Sequence, residues 1–151
     1  MKTAAKRFKL LALILAALVS LFIFSGVLAA EPGDIVSIKA GKDEGTISIE
    51  SFESIVKENP DSVHIIDVRS AGEFAKGSLP TAINMPIDDL VKDLESLPDD
   101  KPIIFICGFG IQSGEAHDIT AMMRSELETY FLNAQLDMHK DGTYTITPIA
   151  E

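Results

Sequence analysis

Cys107 is the single cysteine of the chain. It directly follows the apolar run Ile103-Ile104-Phe105-Ile106 and opens the segment Gly108, Phe109, Gly110, Ile111, Gln112, Ser113, which leads into a helical pattern. A strand that ends in a tight turn before a helix gathers backbone N–H groups, and the positive end of the helix dipole, around one point. A cysteine in such a cradle is favoured as the thiolate, the nucleophilic form. Gly108 and Gly110 suit a loop that folds its amides inward, because such loops call for positive φ or a missing Cβ. A lone cysteine is otherwise an inert buried residue closing a core strand. The adjacent glycines and the following helix favour the reactive reading.

Two further residues of chemical interest, Asp67 and Arg69, lie at the end of a second buried run, Val63 to Val68. An acid–base pair at a strand end first of all holds neighbouring loops together, so these two are expected to support the site, and their loss to damage folding before chemistry. His64, His117 and His139 have no zinc-like spacing. His117 lies on the helix after the cysteine and reads as exposed. Glu115 and Asp118, near the start of that helix, suit its dipole and would discourage anionic donors.

The elements that must position these residues alternate between strand and helix. Phe52, Ile55 and Val56 share one face of a short helix ended by Asn59-Pro60. The 63–68 strand follows, and Ser70 with Glu73 forms a capping box for a brief helix stopping near Gly77. Residues 82–85 read as another strand, and Ile87, Leu90, Val91 and Leu94 as an amphipathic helix. After the cysteine strand, a helix over 113–127 is predicted to bury Ala116, Ile119, Met123 and Leu127, with Met122 and Met123 as core filler. Residues 130–132 suggest a last strand, and alternation around Asp141-Gly142 predicts a hairpin over 136–146. The predicted fold class is α/β, with a mainly parallel central sheet and helices on both faces. Ligands of such sheets gather at the carboxyl ends of the strands, where Cys107 falls.

Composition sets the class and the address. The chain has 151 residues, 46% hydrophobic, enough for one core-bearing domain once the first segment is set aside. Lys2, Lys6, Arg7 and Lys9 precede an uncharged run from Leu10 to Leu28, which reads as an export signal cut after Ala29 or Ala30. Exported and periplasmic is therefore the expected location; an uncleaved anchor over 10–28 in the inner membrane is the alternative. Residues 30–46 read as a linker with a short edge strand at 35–38, and 47–151 as the domain. Four of the 13 basic residues precede position 10, whereas all 23 acidic ones follow position 30. The exported part then has a formal charge of −14, which repels nucleic acid. One cysteine allows no internal disulfide.

The motifs resemble the rhodanese-like domain family. Ile65-Ile66-Asp67-Val68-Arg69, Glu73-Phe74, Gly77, Leu79-Pro80 and Ala82-Ile83-Asn84-Met85-Pro86 look like its opening signature. Cys107 through Gly114 looks like its active loop, most similar to the exported single-domain phage-shock protein E type. The resemblance covers about residues 47–132. It implies a sulfurtransferase in which Cys107 takes sulfur from a small sulfane donor as a persulfide and passes it to a thiol or cyanide acceptor. It implies a loop, 108–113, whose amides steady the thiolate and the persulfide, and it requires no metal or organic cofactor.

The chain departs from the family pattern at three places. Its loop offers Phe109, Ile111 and Gln112 where a cation is common, so a doubly charged donor is expected to find only amides. Polysulfide, a thiosulfonate or a protein persulfide then gains ground. Ser78 follows Gly77 where histidine is usual, and Asn133-Ala134-Gln135 with the hairpin replaces a glycine-rich turn. Ser113, not arginine, stands six positions after the cysteine, against the phosphate-binding loop of a related family. The rival reading is a non-catalytic module joining an envelope complex through its acidic surface or hairpin, and a third is a carrier loaded by another protein.

Overall fold

The computed structural model describes residues 37 to 149. The predicted export segment, and the linker as far as residue 36, lie outside the described residues. Four strands, β1 (His64–Asp67), β2 (Ile83–Asn84), β3 (Ile103–Ile106) and β4 (Thr129–Phe131), pair in parallel in the order β2-β1-β3-β4. Parallel neighbours need crossovers. These contain α2 (Ala71–Phe74), α3 (Ile87–Asp93) with a following 3₁₀ turn at Leu94–Ser96, and α4 (Ile111–Met123). The helix α1 (Ile49–Glu58) precedes β1, and β5 (Ala134–Met138) and β6 (Tyr144–Pro148) form a separate antiparallel hairpin at the end.

β1 and β3 are apolar at successive positions because both faces of the sheet are covered. Side chains alternate across a strand, and two cores result. Ile65, Ile104 and Ile106 meet Phe52 and Ile55 of α1, together with Leu132 and Leu136. Ile66, Ile103, Phe105 and Cys107 meet Leu90 of α3 and Ala116 of α4 on the opposite face. Helices therefore flank the sheet on both sides, as the alternation predicts. Among the described residues, no helix is long and apolar enough to cross a membrane.

Four boundaries differ from the sequence reading. α4 begins at Ile111 and ends at Met123, not 113 and 127. It buries Ser113, Ala116 and Thr120, three small side chains that bring the helix close to the sheet. That choice turns Met122 and Met123 to the outside, where they are exposed rather than core filler. Leu127 packs against the second core from beyond the helix end. β2 contracts to two residues. Ser37 and Ile38 form no strand; the only pairings here are isolated bridges, Ala40 with Ile47 and Thr46 with Phe131. The hairpin extends two residues further at each end than predicted, to 134–148.

Candidate active site

The registers of β1 and β3 place Asp67 opposite Ile106, so the two central strands end together. Val68 N–H continues the ladder to Ile106 C=O at 3.0 Å, and Cys107 follows on the second face of the sheet. Its side chain is 3% exposed, with Sγ 3.5 Å from Ser113 Oγ. The Ser113 hydroxyl, itself buried, is 3.0 Å from Gly110 C=O and 3.4 Å from Leu132 C=O. Ser113 is thus a brace that joins the thiol, the loop and the segment after β4.

Gly110 makes the turn possible. It caps α4 at φ +80°, and a Cβ there would stand 2.7 Å from Asn133 Oδ1 and 3.2 Å from Asn133 Cα. The first helical bond runs from Gly114 N–H to Gly110 C=O at 2.9 Å. The amides of Ile111, Gln112 and Ser113 therefore belong to the first turn, which has no intrahelical acceptors. Gly108 differs from expectation: its φ is not positive, and a Cβ would meet nothing within 4 Å.

A cavity of about 540 Å³ opens before the thiol. The loop supplies one wall through Gly108, Phe109, Ile111 and Gln112, and the hairpin supplies another through Leu136 to His139. Arg69, Glu73 and Lys76, from the crossover after β1, complete it. The expectation that an anionic donor would meet only amides is corrected here: the crossover adds Arg69 and Lys76 to the lining, with Glu73 and the hairpin's Asp137 as the opposing acids. Lys76 had a readable signal, since the brief helix starting after Arg69 must return the chain near the end of β1. Met138 and His139 had none, because nothing local tells where a terminal hairpin docks.

Asp67 and Arg69 form the frame beneath this wall. The fully buried Asp67 carboxylate accepts from Arg69 Nε at 3.0 Å, Arg69 Nη2 at 2.6 Å, Arg69 N–H at 3.1 Å and Ser78 Oγ at 2.6 Å. Arg69 Nη2 also donates to Gly77 C=O at 2.7 Å. The hydrogen bond it donates to Asp67 is the main reason the guanidinium pKa lies above its ordinary value, against the lowering effect of burial. Arg69 lines the cavity, whereas Asp67 positions Arg69 from below. Ser78, at the position where the resemblance would have histidine, is part of the same frame.

His117 does not line the cavity. Its Nδ1 is 2.9 Å from Thr129 Oγ1, and its ring leans on Phe131 with centroids 5.5 Å apart. It is half-buried rather than exposed. Burial pushes its pKa down, opposed by Asp118 and Glu44.

The family profile described as Rhodanese-like domain matches residues 49–135. A putative sulfurtransferase YtwF of Bacillus subtilis (strain 168) is 36% identical over 56 residues, 37% of this chain and 54% of that protein. An adenylyltransferase and sulfurtransferase UBA4 of Scheffersomyces stipitis is 33% identical over 101 residues, 61% of this chain and 22% of that protein. The chain thus spans about half the length of the first relative and about a fifth of the second. The human single-domain sulfurtransferase TSTD1 shares the fold at TM-score 0.51 and 22% identity, over 60% of this chain and 90% of that one. With more than half of its length matched by the family profile, and with the parallel sheet and cysteine loop in place, this chain belongs to the rhodanese-like domain family.

Proposed function

We propose that this protein is an exported sulfurtransferase that carries sulfane sulfur as a persulfide on Cys107. One observation carries the reading: the only cysteine closes a buried central strand, stands against the first turn of a helix, and faces a cavity where Arg69 and Lys76 stand among two acids, Glu73 and Asp137. The sulfurtransferase names of the two relatives support it. In the first step the Cys107 thiolate attacks the outer sulfur of a small anionic donor. The new S–S bond forms as the donor's own S–S bond breaks, and its electron pair leaves on sulfite (from thiosulfate) or a shortened polysulfide. In the second step a thiolate or cyanide attacks the outer sulfur of the persulfide. The Cys107–sulfur bond breaks, and its electron pair returns to Cys107.

In this reading the loop amides and the start of α4 stabilise the charge on sulfur in both steps. Arg69 and Lys76 attract the anionic donor, and the Asp67 carboxylate keeps the Arg69 fork pointed along the cavity wall.

Intact-mass measurement after incubation with thiosulfate or polysulfide tests the proposal. The wild type is expected to gain one sulfur, about 32 mass units, and Cys107→Ser none. An unchanged wild-type mass with both donors would reject it. Export by residues 1–29 is tested separately, by the amino-terminal sequence of the mature protein, which is expected to begin at Ala30 or Glu31.

A further inference from the structure

A second groove, of about 600 Å³, runs along the outer face of α4 from Gly110 and Ile111 towards Val91, Met122 and Met123. Four of its apolar residues, Val91, Ile111, Met122 and Met123, are exposed, Ile111 by 78% and Met122 by 84%. An exposed apolar stripe of this kind marks an interaction surface on a soluble domain. Both charged residues in its lining, Glu115 and Asp118, are acids. Ile111 belongs to this groove and to the Cys107 cavity alike, so the stripe leads directly to the mouth of the site.

We propose that this face docks a thiol-bearing protein segment rich in apolar and basic residues, which exchanges sulfur with Cys107. The proposal rests on the sulfur-transfer reading above and names the class of its macromolecular partner. Charge selects the occupant. A second copy would set Glu115 and Asp118 against like charges, which disfavours self-pairing, whereas lysine or arginine on a different protein complements them. Apolar side chains of the partner would fill the space between Val91 and Met122 as anchors. Length fits as well. Eleven residues of helix separate Ile111 from Met122, about 16 Å at 1.5 Å each, which about five extended residues can span. A cysteine just beyond such a segment would enter the cavity beside Ile111 and Phe109.

The test uses three acceptors for the persulfide form: a peptide of about ten residues alternating leucine and lysine with a terminal cysteine, its glutamate counterpart, and N-acetylcysteine. The lysine peptide is expected to show a KM about tenfold below that of the glutamate peptide. Met122→Lys and Asp118→Lys are each expected to abolish most of that difference while leaving N-acetylcysteine kinetics unchanged within about twofold, since neither residue lines the Cys107 cavity. Equal use of both peptides, or equal loss with N-acetylcysteine, would overturn the proposal. A wild-type dimer that Met122→Glu converts to monomer would assign the face to a second copy and overturn it too. Were no persulfide to form, binding of the fluorescent lysine peptide to wild type and Met122→Lys would still decide the docking face on its own. Weaker binding to Met122→Lys supports the face, and equal or tighter binding rejects it.

Discussion

Leu136 N–H donates to Gly108 C=O at 2.9 Å, joining the first strand of the C-terminal hairpin to the residue that follows the candidate nucleophile. Gly77 adds a second attachment, because a Cβ there would fall 2.5 Å from the carbonyl carbon of His139. Buried Leu136 adds a third, within the core shared with α1. The hairpin is therefore a wall of the site and not an appendage.

Gly77→Ala should loosen that wall. The added methyl meets backbone, which cannot rotate away, so overpacking is expected to cost about 1–3 kcal/mol in urea denaturation. Amide exchange across 134–148 should accelerate more than in β1 and β3. Unchanged stability and exchange would show that the hairpin accommodates the methyl without cost.

The two loop glycines are expected to behave differently. Gly110→Ala places a side chain in the left-handed region, at about 1–2 kcal/mol, and drives it against Asn133. Gly108→Ala meets no atoms and should stay within about 0.5 kcal/mol of wild type. Chemical denaturation of both variants checks this, and similar losses at the two positions would contradict the loop geometry.

Removing Arg69 alone should harm the fold severely. Arg69→Met leaves the enclosed Asp67 carboxylate without its counter-ion, a change worth roughly 3–5 kcal/mol. Combining it with Asp67→Asn should recover part of the loss, because the amide oxygen in place of Oδ1 still accepts from the backbone at 69 and the amide NH2 in place of Oδ2 can donate to the Ser78 hydroxyl. A double variant no more stable than Arg69→Met would argue against charge as the cause.

Acid should weaken the domain through His117. Burial lowers its folded pKa below 6.5, so the unfolded chain binds more protons between the two values. Its contribution is present in full above about 6.5 and is lost as pH falls through that window. His117→Gln should therefore flatten the rise of stability with pH that is expected of the wild type below about 6.5, as read by denaturation across that range. An identical slope in both proteins would remove His117 as the source.

Local signals carried the centre of the molecule. Ile103 to Ile106 and Ile65 to Ile66 are apolar on both faces, which only a covered parallel sheet satisfies, and the position of Cys107 at the carboxyl end follows from that. The orientation of α4 was not legible, since its sheet-facing side uses Ser113, Ala116 and Thr120 while larger apolar residues face outward. Hydrophobicity alone ranks those faces in the wrong order. The cationic wall escaped notice because it comes from the crossover after β1 rather than the cysteine loop. The hairpin's place depends on bonds between residues 28 positions apart or more, beyond the reach of any local pattern.

The near-complete enclosure of Cys107 carries one more implication. An acquired sulfur would extend outward by about 2 Å, the length of an S–S bond, from a sheltered atom into open space. The loaded protein would then offer its cargo more readily than the empty one offers its own thiol. In oxidising surroundings, such an arrangement would spare the resting chain from stray mixed disulfides while keeping delivery open.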